Sequence, residues 1–343
     1  MTTLLAGDIG GTKTILSLYS DHQGRLEKRA ERRFASADWD DLAPMVRQFL
    51  ADPHGGETSP GGAAPEPPAA ACFAVAGPVQ AGRARLTNLP WRLDEAALAS
   101  ACAIPRVELV NDFAVLIYGL PHLATKQQAP IRAGTADPAA PVLILGAGTG
   151  LGVAIGIPTA GGLQAVASEA AHGDFAPRSE AEWRLRQWLI QHLGIQRVSI
   201  ERVVSGTGLG HVARWLLAER HPSGDHPLAA CAADAMPAAV AAAASAAAPH
   251  TDPLARDALD LWLGAYGAVC GDLALACLSR GGVWLAGGTA AKLLDELRSE
   301  SFSRAFLTKG RLQPPLDAMP ITALTDPAVG SFSAACRARM LMG

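Results

Sequence analysis

Apolar and polar positions near the start of the chain predict a β-hairpin. Two apolar runs, Leu4–Ile9 and Thr14–Tyr19, flank a glycine-rich turn. The second run is β-branched, aliphatic and aromatic, which favours a strand over a helix. A P-loop needs a glycine directly before its lysine and a helix after it, but Thr12 precedes Lys13 here. We therefore predict a glycine-rich turn inside a hairpin, with the acidic Asp8 at its mouth.

The same plan recurs about 140 residues later, which predicts a duplicated domain. An aliphatic strand, Val142–Leu145, leads into the turn Gly146–Gly152, and Val153–Ile157 follows as a second strand. Glycines let successive backbone N–H groups aim into one concavity, which binds anions. Thr12 and Thr149 add a hydroxyl donor to each turn. The two turns are therefore candidate phosphate-binding sites.

Periodicity and propensity predict several further elements. They are a helix over Asp41–Leu50, a strand over Ala71–Ala76, an alanine-rich packing helix within Ala229–Ala248 and a buried helix over Asp257–Leu278. The Gly- and Pro-rich segment Asp52–Pro68 is predicted to be a long surface loop.

Composition limits the classes of function. The 343 residues are 49% hydrophobic and 18% charged, which suits two globular domains. A net charge of −3 without a Lys/Arg run argues against nucleic-acid binding. The six cysteines form no C-x-x-C pair and no zinc spacing, so we expect buried free thiols in a reducing cytoplasm.

A long charge-free stretch raises the question of a membrane span. No charged residue lies between Asp137 and Glu169, but seven glycines and Pro158 interrupt this stretch. Glycine at every second position marks a turn between strands, so we predict no membrane span. No basic region precedes the first apolar run, so we expect no signal peptide.

A carboxylate follows a short strand in the first third of the chain. The strand Val107–Val110 ends at Asn111 and Asp112, and a helix-like run, Phe113–Leu120, follows. Ligands usually bind at the carboxyl ends of strands in α/β sheets, but Asp at such a junction also commonly caps a helix. On local grounds both roles of Asp112 remain open. A phosphoryl acceptor hydroxyl would need a base of this kind.

Three other stretches carry candidate binding residues. Glu169 and His172 have an E-x-x-H spacing, which suits hydrogen bonds to a polyol better than a metal site, because the di-iron pattern needs two such pairs. Glu201 precedes the turn Ser205–Thr207 and is either a site residue or a helix-surface glutamate. The strand 281–286 runs into Gly287-Gly288 and a predicted helix, a suitable seat for a phosphate or a flat ring.

Taken together, these motifs resemble the bacterial glucokinase family, in the superfamily of sugar kinases, Hsp70 chaperones and actin. The matching stretches occur in order along nearly the whole chain: GDIGGTKT (7–14), GPV (77–79), TNLPW (87–91), LVNDFAV (109–115), LGAGTGLG (145–152), SEAAHGDFAP (168–177), ERVVSGTGL (201–209), GGVWLAGG (281–288) and KGR (309–311). The family motif often has glycines where Ala170 and Ala171 stand. The zinc-binding cysteine cluster of the related ROK kinases is absent from the sequence.

The resemblance implies an α/β fold with two RNase H-like (actin-like ATPase) domains and a cleft between them. We expect residues 1–110 to form a small α/β domain, joined by the C-terminal helix 328–343, and residues 111–327 to form a large one. The implied reaction is ATP-dependent phosphorylation of glucose at its 6-hydroxyl, giving glucose 6-phosphate. The implied cofactors are ATP and Mg²⁺, and a cytoplasmic homodimer is expected, with no nucleic-acid or membrane partner.

The resemblance also implies roles for individual residues. Asp112 would be the general base, and Asp8 would position Mg²⁺ through water. The other implied sugar ligands are Asn88, Asn111, Glu169, His172 and Glu201. The implied ATP-binding residues are Asp8, Gly10, Gly11, Thr12, Gly148, Thr149, Gly150, Ser205, Gly206, Thr207, Gly287 and Gly288.

Three alternatives to this function remain at the level of the sequence. The first alternative is a kinase for another hexose or with another phosphoryl donor, such as ADP or polyphosphate. A sugar-sensing regulator would keep the fold without the chemistry, but such repressors carry a helix-turn-helix domain before the D-x-G-G-T-K turn, and only seven residues precede Asp8 here. A cytoskeletal actin-like role does not explain the E-x-x-H pair.

Overall fold

A computed structural model describes residues 2–56, 66–86, 89–247 and 249–343. The strands are β1 (Thr2–Ile9), β2 (Lys13–His22), β3 (Arg25–Ala35), β4 (Ala70–Val75), β5 (Val79–Gln80), β6 (Arg83–Arg85), β7 (Arg92–Asp94), β8 (Val107–Asn111), β9 (Gln128–Arg132), β10 (Val142–Ala147), β11 (Leu151–Thr159), β12 (Gly162–Ser168), β13 (Gly282–Ala286) and β14 (Ile321–Leu324). The α-helices are α1 (Leu42–Ala51), α2 (Glu95–Cys102), α3 (Leu116–Gly119), α4 (Glu180–Leu193), α5 (Gly206–Arg220), α6 (Met236–Ala244), α7 (Pro253–Cys277), α8 (Gly287–Lys292), α9 (Leu294–Leu297), α10 (Glu300–Leu307), α11 (Gln313–Asp317) and α12 (Val329–Met340).

The chain divides into two compact units. Unit 1 comprises Met1–Ala124, Thr159–Ala167 and Pro327–Gly343, and unit 2 comprises Thr125–Pro158 and Ser168–Asp326. The C-terminal helix α12 lies in unit 1, where it packs against α3, β1 and β4. The domain boundaries given above from the sequence stay a prediction.

Unit 1 is built on a five-stranded sheet with the order β3-β2-β1-β4-β8. The predicted hairpin is confirmed, because β1 and β2 pair antiparallel with Asp8 opposite Ile15. Strands β4 and β8 continue the sheet parallel to β1, so the carboxyl ends of the three strands lie at one edge. That edge holds Asp8 and Asn111 near the ends of β1 and β8. A core around Phe49, Phe73 and Trp91 supports the sheet.

Unit 2 repeats this plan, which confirms the predicted duplication. Strands β10 and β11 form an antiparallel hairpin, with Val142 opposite Gly156. Strand β13 pairs parallel to β10, and β14 pairs parallel to β13, as β4 and β8 do beside β1. The core of the unit is centred on α5 and α7, with Trp262 and Tyr266 among its fully buried side chains.

The predicted helices differ from the structure in two places. The helix predicted within Ala229–Ala248 is shorter than expected, because only α6, nine residues long, forms there. Pro237 has no N–H to donate and therefore lies in the first turn of α6. The helix-like run Phe113–Leu120 contains only α3, four residues long, after a series of turns. The helices predicted over Asp41–Leu50 and Asp257–Leu278 are confirmed as α1 and α7.

The charge-free stretch after Asp137 forms strands, as predicted. It contains β10, β11 and β12. One other element, α7, is long and apolar enough to cross a membrane by length and composition. Two thirds of its most apolar window is buried inside the protein, which is typical of a core helix. All six cysteines are free, and Cys72, Cys102, Cys270 and Cys336 are buried, whereas Cys231 and Cys277 are half-buried.

Two predictions concern parts of the chain outside the described residues. Asn88, a predicted sugar ligand, is one of them. The predicted surface loop Asp52–Pro68 is described only at its two ends.

Candidate active site

The first glycine-rich turn, in unit 1, is braced by Ser36. The Ser36 N–H donates to the Thr12 carbonyl (3.1 Å), and the Ser36 hydroxyl donates to the Gly10 carbonyl (2.8 Å). Ser36 is fully buried and also pairs with the Thr14 hydroxyl at 3.0 Å. Carbonyl oxygens repel anions, so their engagement by Ser36 suits a turn that offers its N–H groups to phosphate.

Two carboxylates lie close together at the strand ends of unit 1. Burial raises the pKa of Asp8, and the nearby Lys13 ammonium opposes this shift. Burial also raises the pKa of Asp112 to about 6, and the negative charge of Asp8 adds to the shift. A backbone hydrogen bond from the Asp112 N–H to the Val75 carbonyl (2.9 Å) fixes the residue beside β4. This pair favours a bound cation or the transfer of a proton.

Asn111 caps the turns that follow β8. The Asn111 Oδ1 atom accepts from the N–H groups of Phe113 (3.1 Å) and Ala114 (3.0 Å). Its Nδ2 atom donates to the Gly77 carbonyl and to Asp112 Oδ1, both at 3.1 Å. A backbone hydrogen bond from Phe113 also reaches the Asp112 carboxylate and partly opposes the rise of its pKa, so the capping alternative for Asp112 stays open. The Asn111 amide is fully engaged in holding the strand end and in orienting Asp112.

In unit 2, the turn Gly148–Gly150 is attached to the first residues of the long helix α5. The Gly206 N–H donates to the Gly148 carbonyl (2.7 Å), and the Thr207 hydroxyl donates to the Thr149 carbonyl (2.9 Å). Ser205 caps α5 by accepting from the Gly208 N–H at 2.9 Å. The structure thus brings together six of the predicted ATP-binding residues where a helix dipole favours negative charge.

Glu201 is tied to the same turn. Its Oε2 atom accepts from the Leu151 N–H at 2.9 Å, where β11 begins. Glu201 is half-buried and lies in a short 3₁₀ helix, Ile200–Arg202. This hydrogen bond ties the position of Glu201 to the start of β11.

Glu169 and His172 lie on a 3₁₀ turn over Ala170–His172. The His172 Nε2 and Glu169 Oε2 atoms are 3.6 Å apart, and both side chains are mostly exposed. Ala170 and Ala171 instead pack against the core of unit 2. Across the described ranges, no three His, Cys, Asp or Glu side chains group as metal ligands.

A cavity of about 680 Å³ opens beside the second turn in unit 2. Its volume lies in the range of small-molecule sites, and its walls are mainly apolar. Among the residues that line it are Gly148, Thr149, Gly206, Thr207 and Gly288, which were predicted for ATP, and Ala233, Asp234, Pro237, Ala238, Thr289 and Lys292, which were not.

The unpredicted lining residues come from α6, α8 and the segment before α6. The alanine-rich composition of α6 indicates packing alone, and no sequence signal separates an alanine on a cavity wall from one in a core.

Gly287, also predicted to bind ATP, has a φ of +83°, and a Cβ atom there would lie 2.9 Å from the Ala147 carbonyl oxygen. It is therefore needed to connect β13 to α8.

The two glycines of the second turn lead to different predictions. A Cβ atom on Gly150 would overlap the Glu201 carboxylate, whereas one on Gly148 meets no atom within 4 Å. We expect Gly150→Ala to displace Glu201 from Leu151 and lower kcat/KM about tenfold, together with thermal stability. Gly148→Ala is the matched control: its methyl group should raise the KM for ATP and leave the melting temperature unchanged. Steady-state kinetics and thermal unfolding check both; equal melting temperatures of the two variants would contradict the role given to Glu201.

Comparison with known proteins identifies the relatives of this chain. The family model described as Glucokinase matches residues 5–341. The glucokinase of Nostoc sp. (strain PCC 7120) is 40% identical over 351 residues, covering 99% of this chain and 100% of that protein. The glucokinase of Synechocystis sp. (strain PCC 6803) is 41% identical over 349 residues, covering 96% of each chain.

Solved structures agree with the sequence relatives. The crystal structure of glucokinase from an Antarctic psychrotroph superimposes with a TM-score of 0.83 at 27% identity and covers 99% of both chains. A ROK family glucokinase from Streptomyces griseus, solved in complex with glucose and AMPPNP, has a TM-score of 0.61 at 21% identity, covering 98% of this chain and 99% of that one. These similarities confirm the predicted RNase H-like (actin-like ATPase) fold.

Proposed function

Because the chain belongs to the glucokinase family and catalyses ATP-dependent phosphorylation of glucose, we propose that Asp112 is the general base of this reaction. The observation that carries the proposal is the state of its carboxyl group. Asn111 donates to Asp112 and accepts from the Phe113 and Ala114 N–H groups, and burial with Asp8 nearby raises the pKa of Asp112 to about 6. A base with a pKa just below the working pH is ionised and still able to take a proton.

The acceptor hydroxyl is the 6-hydroxyl of glucose. As its oxygen attacks the γ-phosphorus of ATP, an Asp112 carboxylate oxygen accepts its proton, the bond to the ADP leaving oxygen breaks, and glucose 6-phosphate forms. General bases of this kind contribute about 10²–10⁴-fold to the rate. Most of the acceleration comes from positioning and from neutralising the charge on the phosphates.

Asp8 fits a Mg²⁺ site. Mg²⁺ in kinases is commonly held by one or two carboxylates, several waters and the substrate phosphates, so a cluster of three protein ligands is not required. Burial is the main cause of the raised pKa values of Asp8 and Asp112, so a cation beside the two carboxylates would favour their ionised forms. When bound, Mg²⁺ would neutralise charge on the transferred phosphoryl group. Asp8 would position it through water.

The nucleotide is expected to bind chiefly to unit 2. The N-terminal end of α5, which adjoins the turn Gly148–Gly150, offers the positive end of a helix dipole, and the adjoining cavity offers an apolar wall to a nucleotide. Ser205–Thr207, Gly287 and Gly288 would line the nucleoside side. In unit 1, Gly10–Thr12 would offer the second phosphate-binding turn, since Ser36 engages its carbonyl groups.

The remaining sugar hydroxyls would bind to Glu169, His172 and Glu201 of unit 2. A sugar held by carboxylate and imidazole groups is selected by its hydroxyl pattern, because a misplaced hydroxyl leaves these groups unpaired. The resemblance implies that Asn111 binds the sugar, and for this residue we propose a different main role. Its amide already has four partners, so it acts mainly by orienting Asp112. The role of Asn88, the homodimer and the cytoplasmic location stay predictions.

A pH profile tests Asp112 as the base. At substrate concentrations well below KM, the rate reports the ligand-free enzyme. We expect the rate to fall as the pH drops through about 6, because protonated Asp112 cannot accept the hydroxyl proton. Asp8→Asn removes the neighbouring negative charge, which lowers the pKa of Asp112 and shifts the acid limb to lower pH.

The Asp8 variant also separates Asp112 from the nucleotide. Protonation of ATP itself contributes equally to the pH profiles of wild type and Asp8→Asn. The shift of the acid limb between the two profiles therefore reports a group of the protein. A profile that is flat between pH 5 and 8, or an acid limb that does not move in Asp8→Asn, would refute Asp112 as the titrating base.

A further inference from the structure

The outer face of a small sheet in unit 1 carries two arginines directly opposite each other. Strands β5, β6 and β7 form this three-stranded antiparallel sheet. Its register pairs Ala84 with Leu93, both buried, and Arg85 with Arg92, both exposed. Because side chains alternate between the two faces of a strand, the arginines share the face that points away from the core.

Elsewhere on the same face, opposite charges are paired. Arg83 lies across from Asp94, and the Arg83 Nε atom donates to Asp94 Oδ2 at 2.8 Å. Asp94 also caps α2 by accepting from the Ala97 N–H. The next acidic residue, Glu95, accepts from the Leu109 N–H at 2.8 Å. Both nearby carboxylates are therefore engaged away from Arg85 and Arg92.

The side chains of Arg85 and Arg92 make no hydrogen bond or ion pair with any residue that the structure describes. Like charges directly opposite each other on a sheet are destabilising, and a guanidinium cannot shed its proton to relieve the repulsion. Such an arrangement is stabilised by an anion between the two groups. Paired guanidinium forks match the geometry of phosphate oxygens, which each fork can bind through two N–H groups.

A cavity of about 520 Å³ lies over this face. It is lined by Pro78, Gln80, Arg83, Ala84, Arg85 and Arg92, with no acidic side chain among these residues. Gln80 adds an amide donor beside the guanidinium groups. The volume is large enough for a phosphate together with a bound alcohol group.

We propose that Arg85 and Arg92 form a binding site for a phosphate dianion, either free or as a phosphomonoester. The site lies outside the residues assigned to ATP and glucose and therefore goes beyond the proposed function. The bound anion cross-links β6 and β7, so its binding stabilises unit 1.

Thermal unfolding of the full chain without nucleotide tests the site, with inorganic phosphate as the probe and ionic strength held constant with sodium chloride. The wild-type melting temperature is expected to rise with phosphate and then saturate. Arg92→Gln and Arg85→Gln should each weaken the response about tenfold or more. Without phosphate, both variants should melt no lower than wild type, since one charge of a repelling pair is gone.

Arg83→Gln is the matched control on the same face. It breaks the ion pair with Asp94, so it should retain the phosphate response. Glucose 6-phosphate in place of phosphate distinguishes the two sources: a response at lower concentration identifies a phosphomonoester, and an equal response identifies the phosphate group alone. A response that persists in both glutamine variants, that sodium chloride reproduces, or that glucose abolishes would overturn the proposal.

Discussion

Replacing Asp112 with asparagine is expected to lower kcat by about 10²–10⁴-fold and to make the folded protein more stable at neutral pH. The amide keeps the size of the side chain and its neighbour Asn111, but it cannot accept the proton of the 6-hydroxyl. The glucose 6-phosphate formed per unit time, followed in a coupled assay with saturating ATP and Mg²⁺, measures the loss.

The gain in stability follows from the raised pKa of Asp112. A carboxyl group whose pKa is about 6 in the folded protein and 3.8 in a model peptide favours folding at low pH. That contribution is present below the unfolded pKa and is lost as the pH rises through about 6. Asn carries no charge, so the variant should melt higher than wild type above pH 6 and not below pH 4.

Asp40→Asn provides the control for losing one negative charge in unit 1, because Asp40 is exposed. It should keep both the activity and the melting temperature of the wild type. Activity of Asp112→Asn within tenfold of wild type would contradict the base assignment. A lower melting temperature would instead show that Asp112 has a structural role that the raised pKa does not reveal.

The architecture was accessible from the sequence because it depends on apolar periodicity and glycine placement. Two strand–turn–strand patterns around Asp8 and Thr149 predict the two hairpins, and each hairpin begins one sheet. The extent of α6 was not accessible, since alanine favours helix throughout 229–248 and the structure confines the helix to Met236–Ala244. The surroundings of the segment in the fold determine where the helix ends, and helix propensity, which is a property of single residues, does not include them.

The candidate site was predictable in its residue types and less so in its connections. The sequence suggests Asp112 as a base or a cap, and only the structure shows that Asn111 accepts from the N–H groups of Phe113 and Ala114. The hydrogen bond from the Leu151 N–H to Glu201 joins positions that are far apart in the chain, so the spacing of residues in a motif does not reveal it. The cross-strand pair of Arg85 and Arg92 likewise depends on the register of β6 and β7.

Glu201→Ala is expected to lower kcat/KM for both substrates by about 10²-fold and to reduce stability. The Leu151 N–H lies at the start of β11 in a residue that is 6% exposed. Without the Glu201 carboxylate it becomes a buried donor without a partner, which costs about 1–3 kcal/mol. The turn Gly148–Gly150, held from the other side by Gly206 and Thr207, loses one of its supports, and ATP binding weakens.

Glu201→Gln separates the two roles of this side chain. The glutamine carbonyl can still accept from the Leu151 N–H, so the KM for ATP and the melting temperature should return close to wild-type values. The negative charge is lost, so a sugar hydroxyl has a weaker acceptor and the KM for glucose should stay raised by about tenfold. Steady-state kinetics with each substrate varied in turn measure the split. If glutamine restores neither KM, or if alanine leaves the KM for ATP unchanged, Glu201 does not position the turn, and the hydrogen bond to Leu151 serves the fold of unit 2 alone.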